Sequence, residues 1–364
     1  VSRSCRSSVW SKAVSHRKVA ISSATKRGPF AFRIADSAQS RSLSTQVGAV
    51  VIGRNEGERL HRCLESLTCY LDKVVYVDSG STDDSCAYAA NTGIDVVQLN
   101  LSIPFTAARA RNEGIQALLS KYPEVEFVQV VDGDCIVAEG WLVAALTVLE
   151  QNRGVAIVCG QRKELQPNAT IYNRLCDMEW KGAAGMVPSC GGDALIRLAA
   201  FQQVGGYNPT LIAGEEPELC VRLRQLKWKI QRTNDTMTWH DAAMTKLSQW
   251  WQRARRSGHT YAEGHALHGR SDEKFRRSEV RSISFWGGIV PVATILLAIP
   301  TLGASLAVAG YGYASLYCRV RNRRIDSGET IANAALYAKL TVLGKLPQFS
   351  GMLQFACNRI FRRK

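Results

Sequence analysis

Residues 128–136 read Val-Gln-Val-Val-Asp-Gly-Asp-Cys-Ile, an apolar, mostly β-branched run that stops at two carboxylates one glycine apart. The run has the composition of a buried strand, and carboxylates gathered at a strand end suit a hard cation. Gly133 lets the chain turn, so that Asp132 and Asp134 can address one cation, or one cation and a ribose. A solvated turn is the plainer reading, because Asp-Gly-Asp is a common turn tripeptide. The surroundings decide between them.

Working outward, strand and helix patterns alternate. Residues 47–52 read as a strand followed by the turn Gly53-Arg54-Asn55-Glu56-Gly57. Residues 58–71 place Leu60, Cys63, Leu64, Leu67 and Leu71 at helical spacing. A second strand, 74–77, stops at Asp78-Ser79-Gly80-Ser81-Thr82-Asp83, and 83–91 suits a helix. Residues 94–99 then read as strand, 107–121 as helix and 127–131 as the strand delivering the Asp pair. Helix 141–151 and strand 155–161 follow. Such alternation predicts an α/β fold with a mostly parallel sheet covered by helices on both faces. Ligands of such sheets bind beyond the carboxyl ends of the strands, where all three polar turns fall.

The 364 residues carry a net charge of +15, which first suggests a nucleic-acid binder. The charge is unevenly spread: residues 1–46 hold +8, residues 270–364 hold +10, and the centre, 47–269, holds −3. A basic groove is therefore not a property of the centre, and nucleic acid is not an expected partner. Eleven cysteines, scattered and without a Cys-x-x-Cys pair, make neither a disulfide framework nor a zinc site and predict a reducing compartment. Cys135 is read as a small buried apolar residue beside the Asp pair.

Residues 1–46, rich in Ser and Arg, have the composition of a transit peptide, but are expected to be a disordered leader or sequence upstream of a misassigned start. Beyond the centre, residues 285–317 contain no charged side chain over 33 positions. A single helix of that length would run about 50 Å, well past a ~30 Å hydrocarbon core. Pro300 and Gly303 divide it, so residues 270–330 are expected to form two arms, as a hairpin or a re-entrant loop. Basic residues flank it on both sides, which puts both ends on the cytoplasmic face of a membrane. Residues 331–364 are amphipathic, end in Arg362-Arg363-Lys364, and suit an interfacial helix on anionic lipid.

On these residues the centre, roughly 47–260, resembles glycosyltransferase family 2, with its GT-A fold. Val50-Val51-Ile52-Gly53-Arg54-Asn55-Glu56 is similar to the family's first strand and turn. Val77-Asp78-Ser79-Gly80-Ser81-Thr82-Asp83 resembles the second motif, with Ser79 where a second Asp is usual. Ala110-Arg111-Asn112-Glu113-Gly114 matches its Ala-Arg-Asn-x-Gly helix, and Asp132-Gly133-Asp134 stands at the Asp-x-Asp position. Gly191-Gly192-Asp193 through Gly205-Gly206-Tyr207, then Gly214-Glu215-Glu216, resemble the acceptor-side loop and the Glu-Asp motif. The resemblance implies an inverting, metal-dependent enzyme of membrane-associated bacterial type, moving one sugar from a nucleotide-diphosphate donor to a hydroxyl of a glycan or lipid-linked acceptor for the cell envelope.

By resemblance, Asp134 ligates Mn²⁺ or Mg²⁺, Asp132 contacts the ribose or supports the metal, and His240 is a late metal or phosphate contact. Asp78 reads the base, Glu56 lies near the nucleoside, and Arg111 near the base or diphosphate. Gly192 and Asp193 line the donor site, and Arg253 steadies the diphosphate. Glu216 stands where Asp is usual and is expected to be the base, with Glu215 its competitor. Two other readings are weighed. A nucleotidyltransferase predicts a glycine-rich phosphate loop after the first strand, and neither G-x-G-x-x-G nor a Walker sequence is present. A catalytically dead scaffold predicts loss of the acids, yet Asp78, Asp132, Asp134 and Glu216 are all present.

Overall fold

The structure is a computed structural model that describes residue 43 and residues 45–361. All but the last few residues of the expected leader, and the terminal Arg362-Arg363-Lys364, lie outside the described residues. The elements run β1 (Val47–Gly53), α1 (Glu58–Thr68), β2 (Val74–Asp78), α2 (Ser85–Asn91), β3 (Asp95–Gln98), α3 (Ala107–Lys121) and β4 (Phe127–Asp132). Then come β5 (Cys135–Val137), α4 (Trp141–Gln151), β6 (Val155–Glu164), α5 (Ile171–Trp180), β7 (Gly185–Met186), β8 (Ala194–Arg197) and α6 (Leu198–Gln203). α7 (Glu215–Gln225), β9 (Lys229–His240) and α8 (Leu247–His268) complete the α/β unit.

The strands form one sheet in the order β3-β2-β1-β4-β8-β6-β9-β5, with β7 paired to β9. β3, β2, β1 and β4 are parallel neighbours, as the alternating pattern predicts. The other half is mixed: β8 enters antiparallel between β4 and β6, while β9 runs parallel to β6. Both strand orders matter for the site. Ile52 lies opposite Asp132 and Gly53 opposite Asp78, so the first two turns open beside the Asp pair. Val130 faces Ala194 in the antiparallel pair, which brings the start of β8 to the carboxyl end of β4. His240, at the end of β9, stands in register with both Cys135 and Glu164.

Apolar burial explains these elements. β1 and β4 contribute Val47, Val50, Val51, Val128, Val130 and Val131 to one core, all fully shielded. Leu60, Cys63, Leu64 and Leu67 make the buried stripe of α1 at helical spacing. α3 starts where the Thr106 hydroxyl accepts from the Arg109 amide, an N-cap that satisfies a free helix donor. Gly114 lets α3 lie close on the sheet, because a Cβ there would meet Val50 and Val77.

The remaining chain is helical. α9 (Arg277–Ile283), a π-helical turn (Ser284–Ile289) and α10 (Val290–Leu297) form one arm, and α11 (Ala304–Asp326) returns. The break between the two arms falls at residues 298–303, with Gly303 at φ 87°. Arg277–Leu297, 21 residues with mean hydropathy 1.6, is long and apolar enough to cross a membrane by length and composition. Residues 331–360 differ from the single amphipathic helix expected. They form α12 (Ile331–Leu343) and α13 (Lys345–Ile360), divided at Gly344. α13 crosses α8 at backbone contact: a Cβ on Gly258 would land on the Gln348 carbonyl, and one on Gly351 on the Arg255 carbonyl. A second core of Leu175, Cys176, Met178, Met244, Trp250 and Leu340 joins α5 to α12.

Candidate active site

The first wall of the site is a pair of turns clipped together. Asn55, at φ 56°, donates its amide to the Ser81 hydroxyl at 2.9 Å and accepts from the Thr82 amide at 2.7 Å. Asn tolerates this left-handed backbone better than most residues. Asp78 is nearly buried and accepts from the amides of Gly80 and Ser81, both at 2.9 Å, and from the Tyr76 hydroxyl at 3.1 Å. Burial would raise its carboxyl, but the hydrogen bonds from Ser81, Gly80 and Tyr76 win and hold it below the usual range. Glu56 pairs with Arg59 at 2.7 Å, while burial and the Asp134 charge push its carboxyl up.

The Asp-Gly-Asp turn sits opposite. Gly133 donates its amide to the Ile52 carbonyl at 2.8 Å, and a Cβ at this position would come within 3.2 Å of that same oxygen. The two carboxylates then part company. Asp132 accepts from Arg111 Nη2 at 2.7 Å and from Arg162 Nη2 at 3.3 Å. Asp134 meets His240 Nε2 at 3.3 Å, and burial is outweighed by that bond, which holds its carboxyl down to about 2. The same contact, with Glu164 at 3.7 Å from Nδ1, raises His240 to about 9 against the opposing effect of burial. His240 Nδ1 is buried without a hydrogen-bond partner of its own.

Arg111 joins this turn to α7. Its side chain is 3% exposed, with Nη1 at 2.6 Å from Glu215 and 3.3 Å from Glu216. Gly214, in the left-handed region at φ 80°, turns the chain so that both acids open the helix, where the dipole favours them. Glu215 is buried on Arg111, whereas the Glu216 carboxylate is 15% exposed. Burial and the Glu215 charge push the Glu216 carboxyl up to about 7. Between the two acid-bearing elements lies Gly192, whose absent side chain leaves a gap. A Cβ there would meet Arg111 Nη2 and Asp132 Oδ2 at 2.8 Å and Glu216 Oε1 at 3.2 Å.

Of the residues singled out from sequence, Asp132, Asp134, His240, Arg111, Glu215, Glu216 and Gly192 line this cleft, with Glu56 and Asp78 on its first wall. Asp193 is fully buried, and both its oxygens are engaged. It accepts from the Asp132 amide at 3.2 Å, from Arg162 Nε at 2.9 Å and from the Thr238 hydroxyl at 2.6 Å. Arg253 pairs with Glu179 at 2.6 Å on α5, one residue before Trp180. Sequence reasoning missed Arg162, Glu164 and Trp180. The Trp180 ring lies under Arg162 at 5.5 Å and edge-on to His240 at 4.5 Å, so it backs both.

The arrangement fits a divalent cation. Asp134, Cys135 and His240 present ligand atoms within 4.8 Å of one another; the ionised Asp134 carboxylate is a ready donor, and His240 Nε2, 3.3 Å from it, becomes one when a cation displaces its proton. Cys135 is an unsuitable third donor, because burial pushes its thiol well up and keeps it protonated.

Residues 49–185 match the family described as Glycosyl transferase family 2. A pre-mycofactocin glycosyltransferase from Mycobacterium tuberculosis is 26% identical over 220 residues, 56% of this chain and 44% of that protein. A TPR repeat-containing protein from Synechococcus elongatus is 30% identical over 131 residues, 36% of this chain and 30% of its own length. The chain thus spans less than half the length of these relatives. A mannosyltransferase from Pyrobaculum calidifontis, solved in complex with GDP-Man and Mn²⁺, superposes with a TM-score of 0.53 at 16% identity, over 88% of each chain. That likeness is one of fold, a GT-A sheet with the same mixed character. Residues 49–185 thus carry a glycosyl transferase family 2 domain, set in a GT-A-like fold.

Proposed function

We propose that this chain is an inverting, metal-dependent glycosyltransferase that moves one sugar from a nucleotide-diphosphate donor to a hydroxyl of a glycan or lipid-linked acceptor. One observation carries the reading. The Glu216 carboxyl, held up to about 7, faces Asp132 across the gap that Gly192 leaves open. A general base works best when its pKa lies near the operating pH.

In this reading Glu216 accepts the proton of the acceptor hydroxyl as its oxygen bonds to the anomeric carbon from the face opposite the diphosphate. The carbon–diphosphate bond breaks, and its electron pair leaves with the nucleotide. Asp134 and His240 would hold Mn²⁺ or Mg²⁺, which supplies Lewis-acid stabilisation of the diphosphate charge. Arg111 pairs with Glu215 and Asp132 and fixes the base beside them. Asp193 and Arg162 hold Asp132 from behind, so Asp193 acts by positioning and not by touching the donor. Asp78 and Glu56 form the nucleoside wall. Arg253 acts on the metal side of the cleft through Glu179 and α5.

The tail docks the enzyme on the cytoplasmic face of a bacterial membrane through residues 285–364, which places it in cell-envelope polysaccharide synthesis. The apolar, exposed hairpin supports that docking. Thermal melts of the full chain with UDP, GDP, dTDP and CMP, each with and without Mn²⁺, test the donor reading. Metal-dependent stabilisation by at least one nucleotide is expected. A flat result for all four would overturn the proposal.

A further inference from the structure

The hairpin of α10 and α11 is layered along its length. Its tip is uncharged, mostly apolar and open, with Leu302 97% and Ile299 86% exposed, and Ile295, Leu296, Leu306 and Val308 exposed behind them. The next layer is aromatic: the Tyr313 hydroxyl donates to the Trp286 carbonyl at 2.6 Å, and the two rings lie 5.3 Å apart, tying the arms together. Tyr313 follows Gly303 by ten residues and Trp286 precedes Ile299 by thirteen, so this layer lies ~15–20 Å from the tip. The third layer is basic. Arg281 and Arg319, both exposed, fall ~24–27 Å from the tip.

These spacings match one leaflet and not two. A hydrocarbon core is ~30 Å thick, so a single leaflet is ~15 Å. Trp and Tyr favour the interface, and basic residues beyond it are drawn to anionic headgroups. The arms are also fixed to the body, the first at the aromatic layer itself and the second below it. Gly287 packs under the Lys345 carbonyl and Gly288 against the Phe349 ring of α13, so that face of the helix before Ile289 is covered by protein. On the return arm, Arg324 donates to the Met178 carbonyl at 2.6 Å and lies 4.0 Å over the Tyr337 ring. Both ends therefore stand on the same side. Next to the first arm, a cavity of about 670 Å³ is lined by His265, Arg270, Ser271, Asp272, Lys274 and Arg277, a largely basic recess.

We propose that residues 289–313 insert into a single leaflet of an anionic bilayer, with the Trp286–Tyr313 layer at its interface, without crossing it. The inference rests on the membrane-docked reading above and adds depth, topology and a charge requirement to it. The full chain is tested by flotation with phosphatidylcholine vesicles containing or lacking phosphatidylglycerol. At least tenfold greater recovery is expected on the anionic vesicles, and Arg281→Glu with Arg319→Glu should remove that difference.

Ile299→Asp with Leu302→Asp, at sites with no packing to lose, should abolish flotation with the melting curve unchanged. For depth, Leu302→Cys is placed in a chain whose Cys5, Cys69, Cys318 and Cys357 are replaced by serine. Its thiol should resist a membrane-impermeant maleimide trapped inside the vesicles. Labelling from inside would show a crossing hairpin and overturn the proposal. So would absence of flotation, whether the chain stays monomeric or self-associates through the tip in sedimentation. Glu216→Gln should float like the parent, so this result stands or falls apart from sugar transfer.

Discussion

Arg111 and Asp132 meet at 2.7 Å, and the same guanidinium grips Glu215 at 2.6 Å, so the Asp-Gly-Asp turn and the base-bearing helix share one buried cation. Removing one partner from such a cluster leaves uncompensated charge and costs about 3–5 kcal/mol. Arg111→Met should lower stability by that amount in urea unfolding. Arg111 also draws the Glu216 carboxyl downward, so its loss should move the acid limb of the rate profile to higher pH. An unchanged limb would separate Arg111 from the base.

Glu216 acts ionised, and burial with the neighbouring Glu215 holds its carboxyl up to about 7. Transfer should therefore rise as pH passes through about 7, and Glu216→Gln should abolish transfer while sparing nucleotide binding. Stability moves the other way. A carboxyl raised above its ordinary 4.5 contributes stability that is complete below about pH 4.5 and is lost as pH rises through about 7. Glu216→Gln should thus gain on the parent between pH 4.5 and pH 8, as measured by urea unfolding at both.

Gly192 is the third lever. Its backbone is in a region any residue adopts, so alanine there brings a methyl group and no strain. That methyl would sit 2.8 Å from Arg111 Nη2 and Asp132 Oδ2. Gly192→Ala should cut transfer at least a hundredfold and lower the melting temperature, because the Arg111–Asp132 pair must shift to admit the methyl. Full activity in the alanine variant would mean that the gap is not where the reaction takes place.

Strands β1, β2 and β4 of the parallel half were legible because they are buried on both faces and read as mostly apolar runs. The mixed half was not. β9 carries Arg232, Thr233, Asn234, Asp235 and Thr236 in succession, mostly half-exposed, and is a strand because β6 and β5 pair with its two sides. That same pairing carries β6 three residues past its expected end at Gln161, which is why Arg162 and Glu164 escaped notice: Arg-Lys-Glu reads as a solvated turn. α5 left a readable trace that went unused, the Thr170 cap accepting from the amides of Tyr172 and Asn173. Trp180, at the end of that helix, has no local signal, because its partners lie on β6 and β9.

The tail joins the enzyme at the α8–α13 crossing, where Gly258 and Gly351 face backbone carbonyls of Gln348 and Arg255. Backbone cannot move aside as a side chain can. Gly351→Val should cost at least ~1–3 kcal/mol through overpacking. Limited proteolysis should then cut residues 344–361 while the sheet stays protected. Equal protection in both chains would show that the crossing tolerates a looser fit.

The identity of the cation follows from the donor set. Mg²⁺ takes oxygen ligands and releases its waters reluctantly, whereas an imidazole beside a carboxylate suits a softer transition metal. With His240 and Asp134 as the protein ligands, Mn²⁺ should bind at least tenfold more tightly than Mg²⁺ in the presence of nucleotide. Free Mn²⁺ followed by electron spin resonance, with Mg²⁺ as competitor, measures the ratio without any assay of transfer. His240→Ala should collapse the preference, because only oxygen donors then remain, while Asp134→Asn should abolish binding of both ions. Glu164 stands 3.7 Å behind the imidazole and orients it, so Glu164→Gln should weaken Mn²⁺ by about 10–100-fold, the usual cost of losing an outer partner. If Mn²⁺ binds His240→Ala as tightly as the parent, the cation is held elsewhere along the Asp132–Asp134 turn, and the raised imidazole serves only to keep Asp134 ionised.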